Sequence, residues 1–235
     1  IDAVWIGART TVSPFAVQSI ADALKGTTLP VFVKNPIHAD LKLWIGAVER
    51  IDSATKGDVI ALHRGFSSYG LKKFRNAPMW EIPIGLRSEM PDIKLFCDPS
   101  HISGKRDLIQ SIAQKAMDLG MDGLMIESHI NPQVALSDAK QQLTPKDLIS
   151  LISSLKIRDL TLDKAQTLDL RDLRIELDSL DERLVELLSG RMNIARAIGK
   201  YKKENGLTVL QLSRWKEIMS SRKVWSEEMG IEQDF

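Results

Sequence analysis

Three cations stand at the ends of apolar runs: Arg9 after Ala3–Gly7, Lys34 closing Val31–Lys34, and Arg64 directly after Val59–His63. Cations held together away from water are costly unless anions satisfy them. Such a cluster implies a ligand bearing phosphate or carboxylate, unless each cation is paired with a rim carboxylate of its own. A second group has the types that bind metals. His101 closes Asp98-Pro99-Ser100-His101, Glu127 ends the next apolar run ahead of Ser128-His129, and Asp138 lies just beyond in Leu136-Ser137-Asp138-Ala139-Lys140-Gln141. On adjacent strands these would bring one imidazole and two carboxylates to a common rim. That mixed nitrogen and oxygen set suits a divalent Mn, Fe, Co or Zn ion better than a structural zinc. The plainer alternative has His101 capping a loop and Asp138 capping a helix. His63 and His129 read as supporting or packing residues, and Cys97 as a small buried hydrophobe.

The elements that must position these groups alternate along the first 158 residues. Five strand candidates, Ala3–Gly7, Val31–Lys34, Val59–His63, Lys94–Asp98 and Gly123–Glu127, are nearly continuous apolar runs, as strands buried on both faces should be. Helical stretches separate them. Ser13-Pro14 offers an N-cap with proline in the first turn, Gly26 sits where a helix would end, and Thr144-Pro145-Lys146-Asp147 starts the last helix. A complete (β/α)8 barrel takes about 250 residues, so five such units predict the C-terminal half of a TIM barrel. An open α/β sheet is the rival, but no Gly-rich phosphate loop follows any strand.

The pattern changes after a linker expected at 159–169. Leu170, Leu173, Leu177, Leu180, Leu184, Leu187, Ile194, Ile198 and Tyr201 follow helical spacing, and Arg191 interrupts the seam. One helix ending near Asn205-Gly206 would be roughly 50 Å long. The short remainder cannot cover its stripe, which predicts a partner, most simply a second copy of the chain. Arg191 and Lys202, eleven positions apart, nearly eclipse one another. Arg174 lies about 100° around the helix, so it cannot easily serve their pocket from the same helix, and a second copy could supply it. Otherwise these cations are a solvated helix face.

Composition narrows the classes. Lys+Arg 32 against Asp+Glu 31 gives a net charge of +1, which supplies no broad field for nucleic acid or an anionic membrane. One cysteine excludes an internal disulfide and a Cys-rich metal cluster and fits a reducing cytoplasm. No apolar run approaches the roughly 18–20 residues that span a bilayer, and nothing near Ile1 has the basic, apolar and small-residue order of a signal peptide. The chain begins directly in a strand-like run, Ile1–Ile6, so more of the first domain is expected upstream.

Six ordered motifs, Ile6-Gly7-Ala8-Arg9-Thr10-Thr11, Val33-Lys34-Asn35-Pro36, His63-Arg64-Gly65, Asp98-Pro99-Ser100-His101, Ile126-Glu127-Ser128-His129 and Leu136-Ser137-Asp138, resemble those of the DAHP synthases, which open the shikimate pathway. The resemblance covers Ile1 to about Lys156. It implies a (β/α)8 barrel condensing phosphoenolpyruvate with erythrose 4-phosphate, with Arg9, Lys34 and Arg64 on phosphoenolpyruvate and His101, Glu127 and Asp138 as three of four metal ligands. The fourth, a cysteine on an earlier strand, and a Lys-Pro-Arg-type substrate motif are expected upstream of Ile1.

From Leu170 to Arg222 the chain resembles the all-helical chorismate mutases, in Leu170-Arg171-Asp172-Leu173-Arg174, Leu180-Asp181, Leu187-Leu188-Ser189-Gly190-Arg191 and Ile198-Gly199-Lys200-Tyr201-Lys202. The resemblance implies that 170–235 is a partial mutase domain converting chorismate to prephenate in an intertwined dimer. Arg174 would come from the partner, Arg191, Lys202 and Arg214 would bind the substrate, and Gln211 would take a polar substrate-binding position. Trp215 departs from the pattern, standing where a glutamate often binds a substrate hydroxyl. Two alternatives accompany this reading. The tail could be a dimerising, prephenate-sensing module without turnover, or the barrel could be a related sugar-acid synthase using arabinose 5-phosphate.

Overall fold

The structure, a computed structural model, describes residues 1–71, 73–157 and 164–231, with the side chains of 164–169 left aside. It divides into two units, Ile1–Leu160 and Thr161–Phe235.

In the first unit, β1 (Val4–Ile6), β2 (Val31–Lys34), β3 (Val59–His63), β4 (Lys94–Cys97) and β5 (Gly123–Leu124) form one sheet in the order β1-β2-β3-β4-β5. Every neighbouring pair is parallel, with Ile6 opposite Val33, Val33 opposite Ala61 and Ala61 opposite Leu95. The order never reverses, so the sheet has none of the switch points of a doubly wound fold and reads as part of a barrel wall. All five strands fall within the expected segments. β5 is the shortest, and Glu127 lies beyond its end in a connection whose backbone is tied to Leu143.

Helices α1 (Ala8–Thr11), α2 (Pro14–Ala23), α3 (Leu41–Asp52), α4 (Glu81–Glu89), α5 (Pro99–Ser103), α6 (Arg106–Asp118) and α7 (Pro145–Ser154) fill the connections. Their starts follow from local chemistry. The Ser13 side chain accepts from Ala16 N–H with Pro14 in the first turn, Asp40 accepts from Leu43 N–H, and Thr144 accepts from Asp147 N–H. Gly26 takes φ 76° just after α2, in the left-handed region.

Alternation along the strands divides their side chains. Ile6, Val31, Val33, Val59, Ala61, Leu95 and Cys97 pack with Val17, Trp44, Val48, Ile51, Leu86 and Ile112 of the helices in the main core. The Trp44 indole donates to Val33 O at 3.1 Å, which satisfies its one polar atom inside that core. On the opposite sheet face Phe32 and Phe96 meet edge to face, with ring centroids 5.6 Å apart.

In the second unit, α8 (Lys164–Glu204) and α9 (Leu212–Glu228) are the described helices. α8 begins at Lys164, inside the stretch expected as linker, where Ala165, Gln166 and Leu168 are good helix formers. Residues 159–163 of that linker lie outside the described residues. The expected end at Asn205-Gly206 holds, with Gly206 at φ 64°. Leu173, Leu177, Leu180, Leu184, Leu187, Ile194, Ile198 and Tyr201 are all exposed along the helix, Leu187 by 74%. No described helix is long and apolar enough to cross a membrane.

Candidate anion and metal site

The C-terminal ends of β1 to β5 carry the polar residues, as in barrel enzymes. Arg9 lies in α1, two residues past the Gly7 that follows β1, and Lys34 is the last residue of β2. Arg64 follows β3, His101 sits in α5 after β4, and Glu127 follows β5. A cavity of about 450 Å³ is lined by Arg9, Lys34, Arg64, His101 and Asp138 together with Arg75 and Asn76. Five of the six expected barrel-site residues thus share one cavity. The sixth, Glu127, meets them through His101, its Oε1 lying 3.6 Å from His101 Nε2.

The cations are held in different ways. Lys34 Nζ pairs with Asp98 Oδ2 at 3.1 Å, both side chains largely buried. Arg64 donates through Nη1 to Asn76 Oδ1 at 3.0 Å, and its backbone N–H donates to Asn35 Oδ1 at 2.6 Å. Asn35, fully buried, also donates to Pro36 O and Gly65 O, tying the ends of β2 and β3 together. Gly65 follows at φ 74°, where a Cβ would stand 2.9 Å from Asn76 Cβ. Burial, and then the neighbouring charges of Arg75 and Arg9, lower the pKa of the Arg64 guanidinium. Three such cations around one hollow suit an anion with more than one charge.

Asp98 organises the imidazole. Its Oδ1 accepts from the His101 backbone N–H at 3.0 Å, and its Oδ2 lies 2.8 Å from His101 Nδ1. Burial alone would raise its carboxyl pKa, but the contacts with His101 and Lys34 outweigh burial and lower it. His101 Nε2 then points to the rim, 3.6 Å from Glu127 Oε1 and 3.9 Å from Asp138 Oδ2. One donor atom from each of His101, Glu127 and Asp138 falls within 4.8 Å of the others, and all three residues are half-buried. One nitrogen and two carboxylate oxygens at that spacing fit a divalent ion in an open, reactive setting. Asp138 itself adopts φ 51°, a left-handed conformation that aspartate tolerates better than most residues.

Sequence reasoning missed Arg75, Asn35, Asn76 and Gln141. Asn35 stands beside Lys34 in Val33-Lys34-Asn35-Pro36, and Gln141 closes the run Leu136–Gln141 after Asp138, both weak signals. Arg75 and Asn76 lie in an irregular loop that no apolar run precedes, and nothing local separates them from solvated polar residues. The two further histidines behave as expected. His63 is fully buried against Trp44, Phe66 and Trp80, and burial lowers its pKa to about 3. His129 accepts the Asn131 N–H at Nδ1, 3.0 Å away within its own loop. Cys97 is buried in the core.

In the second unit the expected substrate-binding residues make local contacts or face solvent. Lys202 Nζ donates to Val209 O at 2.9 Å, and Arg214 pairs with Glu217 Oε1 at 2.6 Å. Arg174, Arg191 and Gln211 are exposed.

A parallel barrel-type sheet with cations and candidate metal ligands at its strand ends defines a class of enzyme acting on small anionic substrates. Residues 1–162 match the model of the DAHP synthetase I family, and the chain belongs to that family. Residues 173–235 match chorismate mutase type II. Among curated proteins, the phospho-2-dehydro-3-deoxyheptonate aldolase of Thermotoga maritima is 28% identical over 155 residues, 66% of this chain and 44% of that protein. The T-protein of Haemophilus influenzae is 35% identical over 65 residues, 28% of this chain and 17% of that protein. Among solved structures, a truncated 3-deoxy-D-arabino-heptulosonate 7-phosphate synthase from Thermotoga maritima superposes with a TM-score of 0.57 at 25% identity. That match covers 65% of this chain and 56% of the other. The chain therefore spans about half or less of the length of the relatives it matches. The barrel neighbours agree with the sequential parallel sheet, and the DAHP synthase family is metal-dependent, in keeping with the His101, Glu127 and Asp138 group.

Proposed function

We propose that the intact protein condenses phosphoenolpyruvate with erythrose 4-phosphate at the strand-end cavity, and rearranges chorismate to prephenate in its helical part, in the cytoplasm. The observation that carries the first activity is that Arg9, Lys34 and Arg64 line the same cavity as His101 and Asp138. The three cations bind the phosphate and carboxylate of phosphoenolpyruvate and neutralise charge that would repel the second, phosphorylated substrate. Holding C3 of phosphoenolpyruvate beside the aldehyde carbon removes most of the entropy cost of forming the carbon–carbon bond. Water then adds at C2 and phosphate leaves. His101, Glu127 and Asp138 would hold the divalent ion, Mn, Fe, Co or Zn, which when bound supplies Lewis-acid polarisation of the aldehyde oxygen.

For the second activity, Arg174, Arg191, Lys202, Gln211 and Arg214 bind the chorismate dianion only when two chains dock through their exposed α8 stripes. The rearrangement needs no acid or nucleophile. The cations hold a compact conformer and stabilise the charge that separates in the transition state.

The test is an assay of the intact protein for phosphate release from phosphoenolpyruvate with erythrose 4-phosphate or arabinose 5-phosphate, and for chorismate loss with and without prephenate. His101→Ala, assayed after chelation and metal add-back, should lose condensation and keep mutase activity. Lys202→Ala should do the reverse, with kcat/KM for chorismate falling at least tenfold. A preference for arabinose 5-phosphate would overturn the sugar assignment. Chorismate left unconsumed while prephenate inhibits condensation would make the helical part a sensor.

A further inference from the structure

Two of the candidate ligands are gripped from outside by residues that would not touch a metal. Gln141 is only 2% exposed, yet both ends of its amide are engaged. Nε2 donates to Glu127 Oε2 at 3.0 Å, and Oε1 accepts from Arg75 Nη1 at 2.7 Å. The same Arg75 nitrogen donates to Asp138 Oδ1 at 2.6 Å. The oxygens occupied in this way are not the ones closest to the imidazole. Glu127 Oε1 and Asp138 Oδ2 remain to face His101 Nε2, at 3.6 and 3.9 Å.

We propose that Gln141 is a positioning residue for the metal site, joining Glu127 to Asp138 through Arg75 so that each carboxylate offers one chosen oxygen to the ion. The inference rests on the reading of His101, Glu127 and Asp138 as ligands. A primary amide suits this place because it is a neutral side chain with a donor and an acceptor at one terminus. A carboxylate there would face Glu127 with no hydrogen to donate. An apolar residue would leave Glu127 Oε2 and Arg75 each short of a partner. The chain around Gln141 is built to keep it still. Its backbone N–H donates to Asp138 O at 3.0 Å, and Arg106 of α6 grips the same turn by donating to Ala139 O and Gln142 O, both at 2.6 Å. Outer contacts of this kind fix ligand orientation, and losing one typically weakens metal binding ten- to a hundred-fold.

The test is cobalt(II) binding to the metal-stripped intact protein, measured by competition with a chelating dye. It is read together with the visible spectrum of the bound ion and the Tm of the metal-stripped protein. Gln141→Glu and Gln141→Met should weaken cobalt(II) binding at least tenfold and shift its absorption bands, with a metal-stripped Tm close to that of the parent. His101→Ala should abolish binding. If His101→Ala binds cobalt(II) like the parent, the ligand assignment itself fails. If His101→Ala loses binding while both Gln141 variants keep parental affinity and spectrum, this inference alone is overturned. Should the Gln141 variants not fold, Arg75→Ala decides the matter, because that side chain is 45% exposed and its removal should be tolerated. Parental cobalt(II) affinity in Arg75→Ala would then overturn the proposal, and a loss of several-fold or more would support it.

Discussion

Asp98 Oδ2 lies 3.1 Å from Lys34 Nζ and 2.8 Å from His101 Nδ1, so one nearly inaccessible carboxylate joins a candidate anion-binding cation to a candidate metal ligand. The two halves of the site are therefore not independent. Lys34 closes β2 and Asp98 follows β4, with β3 between them, so the contact exists only because the parallel register brings those strand ends level.

Asp98→Asn should accordingly damage more than one property. Its carboxyl pKa is lowered in the folded chain, so the stability it contributes is present above the ordinary carboxylate range and lost as pH falls through its folded value. At neutral pH the substitution leaves Lys34 as a buried charge without its partner, a change that costs about 3 kcal/mol. Urea denaturation at pH 7 should show a lower midpoint of that size. An unchanged midpoint would mean that Lys34 finds another partner.

His63 predicts a pH dependence of the opposite charge type. Burial among Trp44, Phe66 and Trp80 lowers its pKa to about 3 from 6.5, so the folded chain keeps it neutral while the unfolded chain takes up a proton. Stability should fall as pH drops below 6.5 and go on falling toward pH 3, by up to about 1.4 kcal/mol for each pH unit. His63→Phe keeps a ring in the aromatic cage and removes that proton. Its stability between pH 6 and pH 4 should decline less steeply than the parent's. Parallel curves would show that His63 does not set the slope.

The stripe on α8 bears on assembly. Leu180, Leu184, Leu187 and Ile198 are each more than half exposed on a helix of 41 residues, a surface that water does not favour. Leu184→Glu should break a self-associated helical part. Sedimentation of the intact protein should shift to a smaller species, with a fall in helical signal at 222 nm and in chorismate turnover. A variant that sediments like the parent would show that this stripe does not hold copies of the chain together.

What could be read in the chain before folding was whatever depends on near neighbours. Strands appeared as apolar runs because both faces of a parallel strand are covered, and helix starts appeared as Ser13 and Thr144 caps because a cap is a contact three residues long. Arg9, Lys34, Arg64, His101 and Glu127 were visible for the same reason, each standing at or just past the end of such a run, and the motifs around them supplied their roles by resemblance.

The contacts that give those residues their state were decided elsewhere. Arg75 meets Gln141 across 66 positions and Asn35 reaches Gly65 across 30, and nothing in the intervening composition foretells either. Strand register and loop path set these meetings, and both are settled by packing of the whole sheet against its helices. Sequence by itself determined which chemical groups stand at the strand ends. Only the tertiary structure decided which oxygen of each carboxylate is left to face the imidazole, because that choice is made by hydrogen bonds between segments that fold into contact.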